Sequence, residues 1–246
     1  MWSPEPGRLT PVATLLGDSA FYQQRGRFST ALRATVRAMT KPLLLGCKGC
    51  GNAIVEAAFA LAGLALDCEE VDYSDGSPTR ARLLSFNPLG QVPTLVLADR
   101  RILTESLAIL HYLDDLAPQA ALIPARGDPV RERFYRWVVF LVAAVYPTYT
   151  YGDEPTKWVK DTEGAKQLRE ATDEHRKRLW MQIEKETGSP WFLGERRSAL
   201  DLYVAAMTRW RPGRKWFAES TPKLVAIAEK AAALPGVKEV LQKHFG

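Results

Sequence analysis

Two cysteines separated by two residues are the first side chains of this 246-residue sequence that could do chemistry. Cys47 and Cys50 form a C-x-x-C pair, with Lys48 between them. We predict a helix that begins just after Cys50, and the unpaired N–H groups at a helix N-terminus favour a thiolate over a thiol. No convincing secretion signal precedes the pair. We therefore expect redox or nucleophilic chemistry at Cys50 and Cys47 rather than a structural bridge.

A metal site is not expected around this pair. Zinc takes four ligands, so the two cysteines would need two more. The third cysteine, Cys68, falls in a predicted strand, and the three histidines, at positions 111, 175 and 244, have no metal-ligand spacing. We predict no bound metal.

A second candidate site lies in residues 87–106, NPLGQVPTLVLADRRILTES. An X-Pro bond can be cis, and a cis Val92-Pro93 bond would turn the Val92 N–H and C=O outward to pair with an extended peptide. Glu105 and Ser106 fall at a predicted helix N-terminus, where unpaired N–H groups can bind a carboxylate. This stretch predicts a binding site for a small peptide.

The elements that must position these residues begin with a βαβ unit. Leu43-Leu44-Leu45 predicts a strand, residues 52–62 a helix that Gly63 ends, and residues 66–73 a second strand. Residues 77–86 predict a loop or an irregular helix. This unit places the two cysteines between the first strand and the first helix.

A ββα unit follows. Strands over residues 93–97 and 101–103 predict a hairpin, and a helix is expected from Glu105 to Leu116. The crossover makes one strand pair parallel and the hairpin makes another antiparallel. We therefore predict a mixed four-stranded sheet in an α/β half of the chain.

Beyond residue 128 the sequence predicts helices alone. The first covers residues 130–146, and Pro147 bends or ends it. Ser198-Ala199-Leu200-Asp201 predicts a capping box, in which the Asp201 side chain reaches back to the Ser198 N–H. The other predicted helices cover residues 162–187, 202–208, 222–234 and 237–243. The basic segment 209–215 contains Pro and Gly and predicts a loop.

The net charge of +5 does not predict a nucleic-acid site. Residues 1–38 hold five arginines and two acidic residues, so this segment carries +3 and the other 208 residues only +2. A folded basic face is therefore not expected. The longest apolar run, residues 137–146, is too short to span a bilayer, so we expect no membrane partner.

Residues 1–40 predict an N-terminal extension that is poorly structured or partly helical. The segment is rich in proline and arginine and poor in acidic residues. Two interpretations stay open: Met39 is the natural first residue, or the segment targets the protein to an organelle. The first predicts a cytoplasmic protein.

Read together, residues 41–246 resemble a glutathione S-transferase of the cytosolic, bacterial-like type. The motifs that carry the resemblance are NPLGQVPTL, TES at the head of the third helix, and SALD in the helical half. The resemblance implies an α/β N-terminal thioredoxin-like domain (residues 41–117), a linker (118–128) and an all-α C-terminal domain (129–246). It also implies glutathione as cosubstrate, a cis Val92-Pro93 bond and a homodimer.

The resemblance also implies roles for individual residues. Val92, which precedes Pro93, would pair with the cysteinyl backbone of glutathione. Glu105 and Ser106 would hold the γ-glutamyl amino and carboxylate groups. The Gln91 side chain would reach the glycyl or γ-glutamyl end.

The sequence departs from the family pattern at the catalytic turn. Family members place Tyr, Ser or Cys there, and here Cys50 is the side chain that fits. A hydroxyl donates a hydrogen bond to a bound thiolate, whereas a cysteine can form a mixed disulfide that Cys47 could resolve. Conjugation and thiol-disulfide exchange both stay open, as does the question of which cysteine reacts.

The second substrate would be a small hydrophobic electrophile or a disulfide. Tyr146, Tyr149 and Tyr151, with Trp158, are candidates to line its pocket. The alternative to an enzyme is a non-catalytic, protein-binding module built on the same fold.

Overall fold

The structure is a computed structural model and describes residues 41–74 and 76–246. The expectations for residues 1–40 lie outside the described residues. Four short strands make the sheet: β1 (Leu43–Gly46), β2 (Asp67–Glu70), β3 (Thr94–Val96) and β4 (Ile102–Thr104). Their order is β2-β1-β3-β4. β1 is parallel to β2 and antiparallel to β3, and β3 is antiparallel to β4. The predicted mixed sheet is confirmed.

Three helices cover the two faces of this sheet: α1 (Asn52–Ala62), α2 (Pro78–Phe86) and α3 (Ser106–Leu116). Neighbouring residues of a strand point to opposite faces. Leu44 accordingly packs in the large core that contains residues of α1 and α3, while Leu45 packs with Leu83 of α2. Residues 78–86, predicted as a loop or irregular helix, form a regular helix.

Strand β2 is shorter than predicted. The pattern over residues 66–73 predicts eight residues of strand, but pairing with β1 covers Asp67–Glu70 only. The segment from Val71 to Ser74 therefore leaves the sheet and runs beside the Cys47–Cys50 turn, where it forms one wall of a groove described below.

The remainder of the described chain is helical, which confirms the predicted all-α second half. A short 3₁₀ helix, Pro118–Ala120, follows α3, and another, Pro155–Lys157, follows α5. The α-helices are α4 (Arg131–Phe140), α5 (Tyr146–Asp153), α6 (Thr162–Glu186), α7 (Ala199–Met207), α8 (Arg214–Ser220), α9 (Pro222–Ala232) and α10 (Val237–Phe245). No helix of the described residues is long and apolar enough to cross a bilayer. The domain boundaries at 117–118 and 128–129 stay predictions.

The helix that contains Pro147 continues past it. A five-residue π-helical segment, Leu141–Val145, joins α4 to α5. Pro147 comes just after this segment, so the wider turn lies where proline cannot donate the backbone hydrogen bond of a regular helix. The sequence did not indicate this π-helical segment. Tyr146 and Tyr149 lie on the part of the continuous helix that follows it.

The predicted capping box of α7 is present. The Ser198 N–H donates to Asp201 Oδ2 at 2.7 Å, and the Leu200 N–H donates to Ser198 Oγ at 3.3 Å. The loop prediction for residues 209–215 is wrong at its C-terminal end, because α8 begins at Arg214. Gly213 (φ +100°) makes the turn into this helix, and buried Phe217 attaches the helix to the core.

Candidate active site

The C-x-x-C turn, residues 47–50, joins β1 to α1. Cys47 and Cys50 form a disulfide, with Cα atoms 5.5 Å apart. The Cys50 N–H donates to the Cys47 carbonyl at 3.3 Å, and Gly49 adopts φ +76°, which favours glycine. Gly51 is the N-cap of α1, so Cys50 directly precedes the helix, as predicted. The arrangement is a dithiol–disulfide pair at a helix N-terminus.

An open groove of about 500 Å³ borders this turn. Cys47, Lys48 and Cys50 line one side of it. The segment that leaves β2 lines the other side with residues 71–74, together with Glu70 at the end of β2 and Thr79 of α2. The disulfide therefore faces a space large enough for a small ligand, with one cation on the cysteine side and carboxylates opposite.

The Val92-Pro93 peptide bond is cis. Buried Asn87 holds the loop that contains it, because its side-chain amide donates to the Gln91 carbonyl at 3.0 Å and to Thr94 Oγ1 at 3.1 Å. Within the described chain, no hydrogen bond to the Val92 backbone is present. Its N–H and C=O are therefore available to a ligand.

Pro93 and the cysteine turn are close neighbours. A β-carbon added to Gly51 would lie 3.8 Å from Pro93 Cδ. The same point would lie 3.1 Å from the hydroxyl oxygen of Tyr146, a residue of α5. The fold thus brings the cysteine turn, the proline loop and α5 together at one place, although they are far apart in the sequence.

Glu105 and Ser106 lie at the start of α3, as predicted. Glu105 is the N-cap, is exposed, and adopts φ +64°, a conformation uncommon for a residue other than glycine. Ser106 Oγ lies 2.7 Å from the hydroxyl of Tyr203, which α7 contributes. Burial raises the pKa of Tyr203, so its hydroxyl stays protonated. The N-terminus of α3 therefore presents one exposed carboxylate and one oriented hydroxyl.

The three tyrosines predicted to line one pocket have different surroundings. The Tyr146 hydroxyl is buried beside Gly51 and has no hydrogen-bond partner among the described residues. Tyr149 is buried, and its hydroxyl donates to the Arg211 carbonyl at 2.9 Å. Tyr151 is exposed and packs edge-on against Trp158. A helix turns about 100° per residue, so residues 146 and 149 share a face that residue 151 leaves.

Three residues that hold the cysteine turn were not among the predicted site residues. Asn52 Oδ1 accepts the Cys47 N–H at 3.0 Å, and His244 Nδ1 accepts the Gly49 N–H at 3.2 Å. Trp210 Nε1 donates to the Gly49 carbonyl at 2.7 Å. Asn52 could have been suspected from its place at the first turn of α1. His244 and Trp210 carry no such signal, because they lie more than 150 residues from the turn.

No group of three or more His, Cys, Asp or Glu side chains in residues 41–74 and 76–246 could hold a metal ion. Cys68, in the edge strand β2, is a free and exposed cysteine. The residue as a whole is exposed, but its sulfur is partly buried near the Glu56 carboxylate, and both effects raise the pKa of this thiol to about 11. The chemistry of the described thiols therefore centres on the 47–50 pair.

Comparison with known proteins agrees with this architecture. The chain matches the family descriptions "Glutathione S-transferase, N-terminal domain" over residues 54–116 and "Glutathione S-transferase, C-terminal domain" over residues 144–244. It is 35% identical over 201 residues to the uncharacterized GST-like protein YncG of Escherichia coli (strain K12). The matched stretch covers 81% of this chain and 96% of YncG. The chain belongs to the glutathione S-transferase family.

Solved structures of this family share the fold. A glutathione transferase homolog from Sulfitobacter with bound glutathione is 25% identical, has a TM-score of 0.77, and covers 85% of this chain and 100% of its own. A sphingomonad glutathione S-transferase complexed with glutathione is 26% identical, has a TM-score of 0.65, and covers 81% of this chain and 97% of its own. The thioredoxin-like N-terminal half and the all-α C-terminal half are thereby confirmed.

Proposed function

We propose that this protein is a glutathione-dependent thiol transferase that reduces or exchanges disulfides through Cys47 and Cys50. The observation that carries this proposal is the disulfide between the two cysteines, which lies at the N-terminus of α1 and beside an open groove. The structural relatives with bound glutathione support glutathione as the cosubstrate. Thiols in this position attack disulfides readily, because the helix N-terminus favours the thiolate.

Glutathione would bind along the edge next to the groove. The Val92 N–H and C=O, which no residue in the described part of the chain binds, would pair with its cysteinyl backbone, and Glu105 would bind its γ-glutamyl ammonium. Because the Tyr203 hydroxyl can donate to Ser106 Oγ, the Ser106 hydroxyl is free to donate to the γ-glutamyl carboxylate. Gln91 is exposed at the same edge and would reach one end of the tripeptide.

We expect the exchange to pass through a mixed disulfide between the protein and glutathione. A glutathione thiolate attacks one sulfur of the Cys47–Cys50 disulfide, forms a mixed disulfide, and releases the other cysteine as a thiolate that takes a proton. A second glutathione thiolate attacks the glutathione sulfur of the mixed disulfide, which yields oxidised glutathione and the protein dithiol. The dithiol then reduces a substrate disulfide to two thiols by the same chemistry. Two glutathione molecules are oxidised for each substrate disulfide reduced.

Conjugation of glutathione to a small hydrophobic electrophile is the second candidate, and one observation favours it. The Tyr146 hydroxyl is buried beside Gly51 and has no hydrogen-bond partner among the described residues, so it could donate a hydrogen bond to a sulfur bound at the turn. Burial raises the pKa of Tyr146 well above its ordinary range, so the group would act as a donor and not as a base.

Single cysteine variants separate the two reactions. We expect loss of the attacking cysteine to abolish reduction of a small disulfide by glutathione and loss of the other cysteine to lower it, while Cys68→Ser, the matched control, keeps it. With oxidised glutathione and no free thiol, the variant that retains the attacking cysteine should show a glutathione adduct in intact mass, because no second cysteine displaces the glutathione. If activity toward haloaromatic substrates survives Cys50→Ser but falls in Tyr146→Phe, conjugation and not exchange would be the function of the site. No detectable glutathione binding by calorimetry would favour a non-catalytic, protein-binding module.

We also propose a homodimer. Apolar side chains are exposed on the N-terminal half at Leu84, Leu89 and Ile102, and 69% of Leu89 is accessible. Leu84 lies close to Gly90, the residue after Leu89, and exposed apolar side chains that lie together support an association surface. Light scattering coupled to gel filtration tests this, with Leu89→Glu expected to yield monomers. A wild-type protein that elutes as a monomer at micromolar concentration would contradict it.

A further inference from the structure

The end of the C-terminal helix α10 lies against the cysteine turn. The Gly49 N–H donates to His244 Nδ1, and the Gly49 carbonyl accepts from Trp210 Nε1. A β-carbon added to Gly49 would lie 3.8 Å from both the His244 carbonyl and the Phe245 ring. Both polar backbone groups of the residue before Cys50 are therefore bound by side chains from the helical half of the chain.

The hydrogen bonds fix the form of the His244 ring. Because Nδ1 accepts from Gly49, the ring proton is on Nε2, which then donates to Glu56 Oε1 at 2.9 Å. The His244 side chain is only 2% exposed and that of Glu56 7%. A buried histidine is thus oriented toward the turn by a buried carboxylate.

Glu56 also connects to the other end of the turn. Asn52 Nδ2 donates to Glu56 Oε1 at 3.0 Å, and Asn52 Oδ1 accepts the Cys47 N–H. Lys243 Nζ donates to Glu56 Oε2 at 2.7 Å. Burial alone would raise the pKa of Glu56, but hydrogen bonds from His244, Lys243 and Asn52 outweigh it and lower this pKa to about 2. The carboxylate is therefore ionised at neutral pH.

We propose that Glu56 and His244 are positioning residues that favour closure of the Cys47–Cys50 disulfide by holding the turn through Asn52 and Gly49. This inference rests on the exchange function proposed above. In the dithiol state, a held turn keeps the two cysteines near the spacing of the disulfide. Ring closure then costs less chain entropy, and the disulfide is favoured.

Two replacements of His244 separate its two hydrogen bonds. An asparagine side-chain oxygen can occupy the place of Nδ1 and accept from Gly49, whereas a glutamine side-chain nitrogen can occupy the place of Nε2 and donate to Glu56. His244→Asn keeps the contact to the turn and His244→Gln loses it. His244→Phe loses both contacts, and Glu56→Gln tests the carboxylate.

The measurement is the equilibrium between dithiol and disulfide in dithiothreitol buffers, with thiol alkylation and intact mass as readout. All proteins carry Cys68→Ser, so that the pair alone reacts, and circular dichroism verifies folding. We expect His244→Phe and His244→Gln to lower the equilibrium constant for disulfide formation about fivefold to tenfold, the value of one lost hydrogen bond. A tenfold change equals about 30 mV. The equilibrium constant of His244→Asn should stay within about twofold of the parent value. That of Glu56→Gln should lie between the values of His244→Asn and His244→Phe.

A purely structural role for His244 would lower the unfolding temperature of all three variants and leave the disulfide equilibrium unchanged. That result would overturn the proposal, as would an Asn variant that shifts as far as the Phe variant. A parent protein whose pair stays reduced in every buffer would overturn both this proposal and the exchange function. A parent with a measurable equilibrium that no variant moves would overturn this proposal alone.

Discussion

Asp201 is the residue whose replacement tests the fold of the helical half most directly. Its side chain is fully buried at the start of α7. Oδ1 accepts the Phe192 N–H at 2.8 Å and Oδ2 accepts the Ser198 N–H at 2.7 Å. Burial raises the pKa of Asp201 to about 6, against the opposing effect of these hydrogen bonds. At pH 7.5 the group is therefore mostly ionised, and Asp201→Ala removes an anion that satisfies two buried donors.

The expected cost follows from what the substitution leaves behind. Two backbone N–H groups would remain buried without an acceptor, and each such group costs about 1–3 kcal/mol. We expect Asp201→Ala to lower the free energy of unfolding by about 4 kcal/mol at pH 7.5. Ser198→Ala loses one longer hydrogen bond to the Leu200 N–H, and should cost about 1 kcal/mol.

Urea denaturation followed by circular dichroism and tryptophan fluorescence measures both values. Glu195→Ala is the matched control, because Glu195 is an exposed acidic residue in the same loop, and it should change stability by less than about 0.5 kcal/mol. If Asp201→Ala lowers the free energy of unfolding by less than about 1 kcal/mol, the prediction is refuted, because two buried donors without an acceptor would cost more than this.

Three further predictions concern the site. Ser106→Ala should weaken glutathione binding about tenfold in calorimetry, because it removes a donor to a carboxylate, and an unchanged affinity would contradict that role. The pKa of Glu56 is about 2 in the fold against an ordinary 4.5, so its charge stabilises the fold above pH 5 and this stabilisation disappears as the pH falls toward 2. Glu56→Gln should thus cost about 3 kcal/mol in denaturation at pH 7 and little at pH 2, and a pH-independent difference would refute this. Gly51→Ala should destabilise the protein because its β-carbon would lie 3.1 Å from the Tyr146 hydroxyl, and Tyr146→Phe in the same chain should restore part of the loss of unfolding temperature.

Local patterns carried much of the fold. The Leu43-Leu44-Leu45 run, the glycine at position 63 that ends a helix and the SALD capping box depend on neighbours a few residues away, so the sequence shows them directly. The pattern failed where distant contacts decide the outcome. β2 ends at Glu70 because its pairing partner β1 ends at Gly46, and α8 exists because Phe217 is buried by other helices.

The sequence by itself was enough to predict three parts of the site: the two cysteines, the Val92-Pro93 step and the start of a helix at Glu105-Ser106. Each is a short segment whose chemistry depends on residue type and spacing. The tertiary structure alone decided what surrounds the cysteine turn. His244 approaches Gly49 from α10 and Trp210 from the loop between α7 and α8, both distant along the chain, and the three predicted pocket tyrosines separate by helical phase. Such contacts depend on how the helices pack in three dimensions, which no local spacing records.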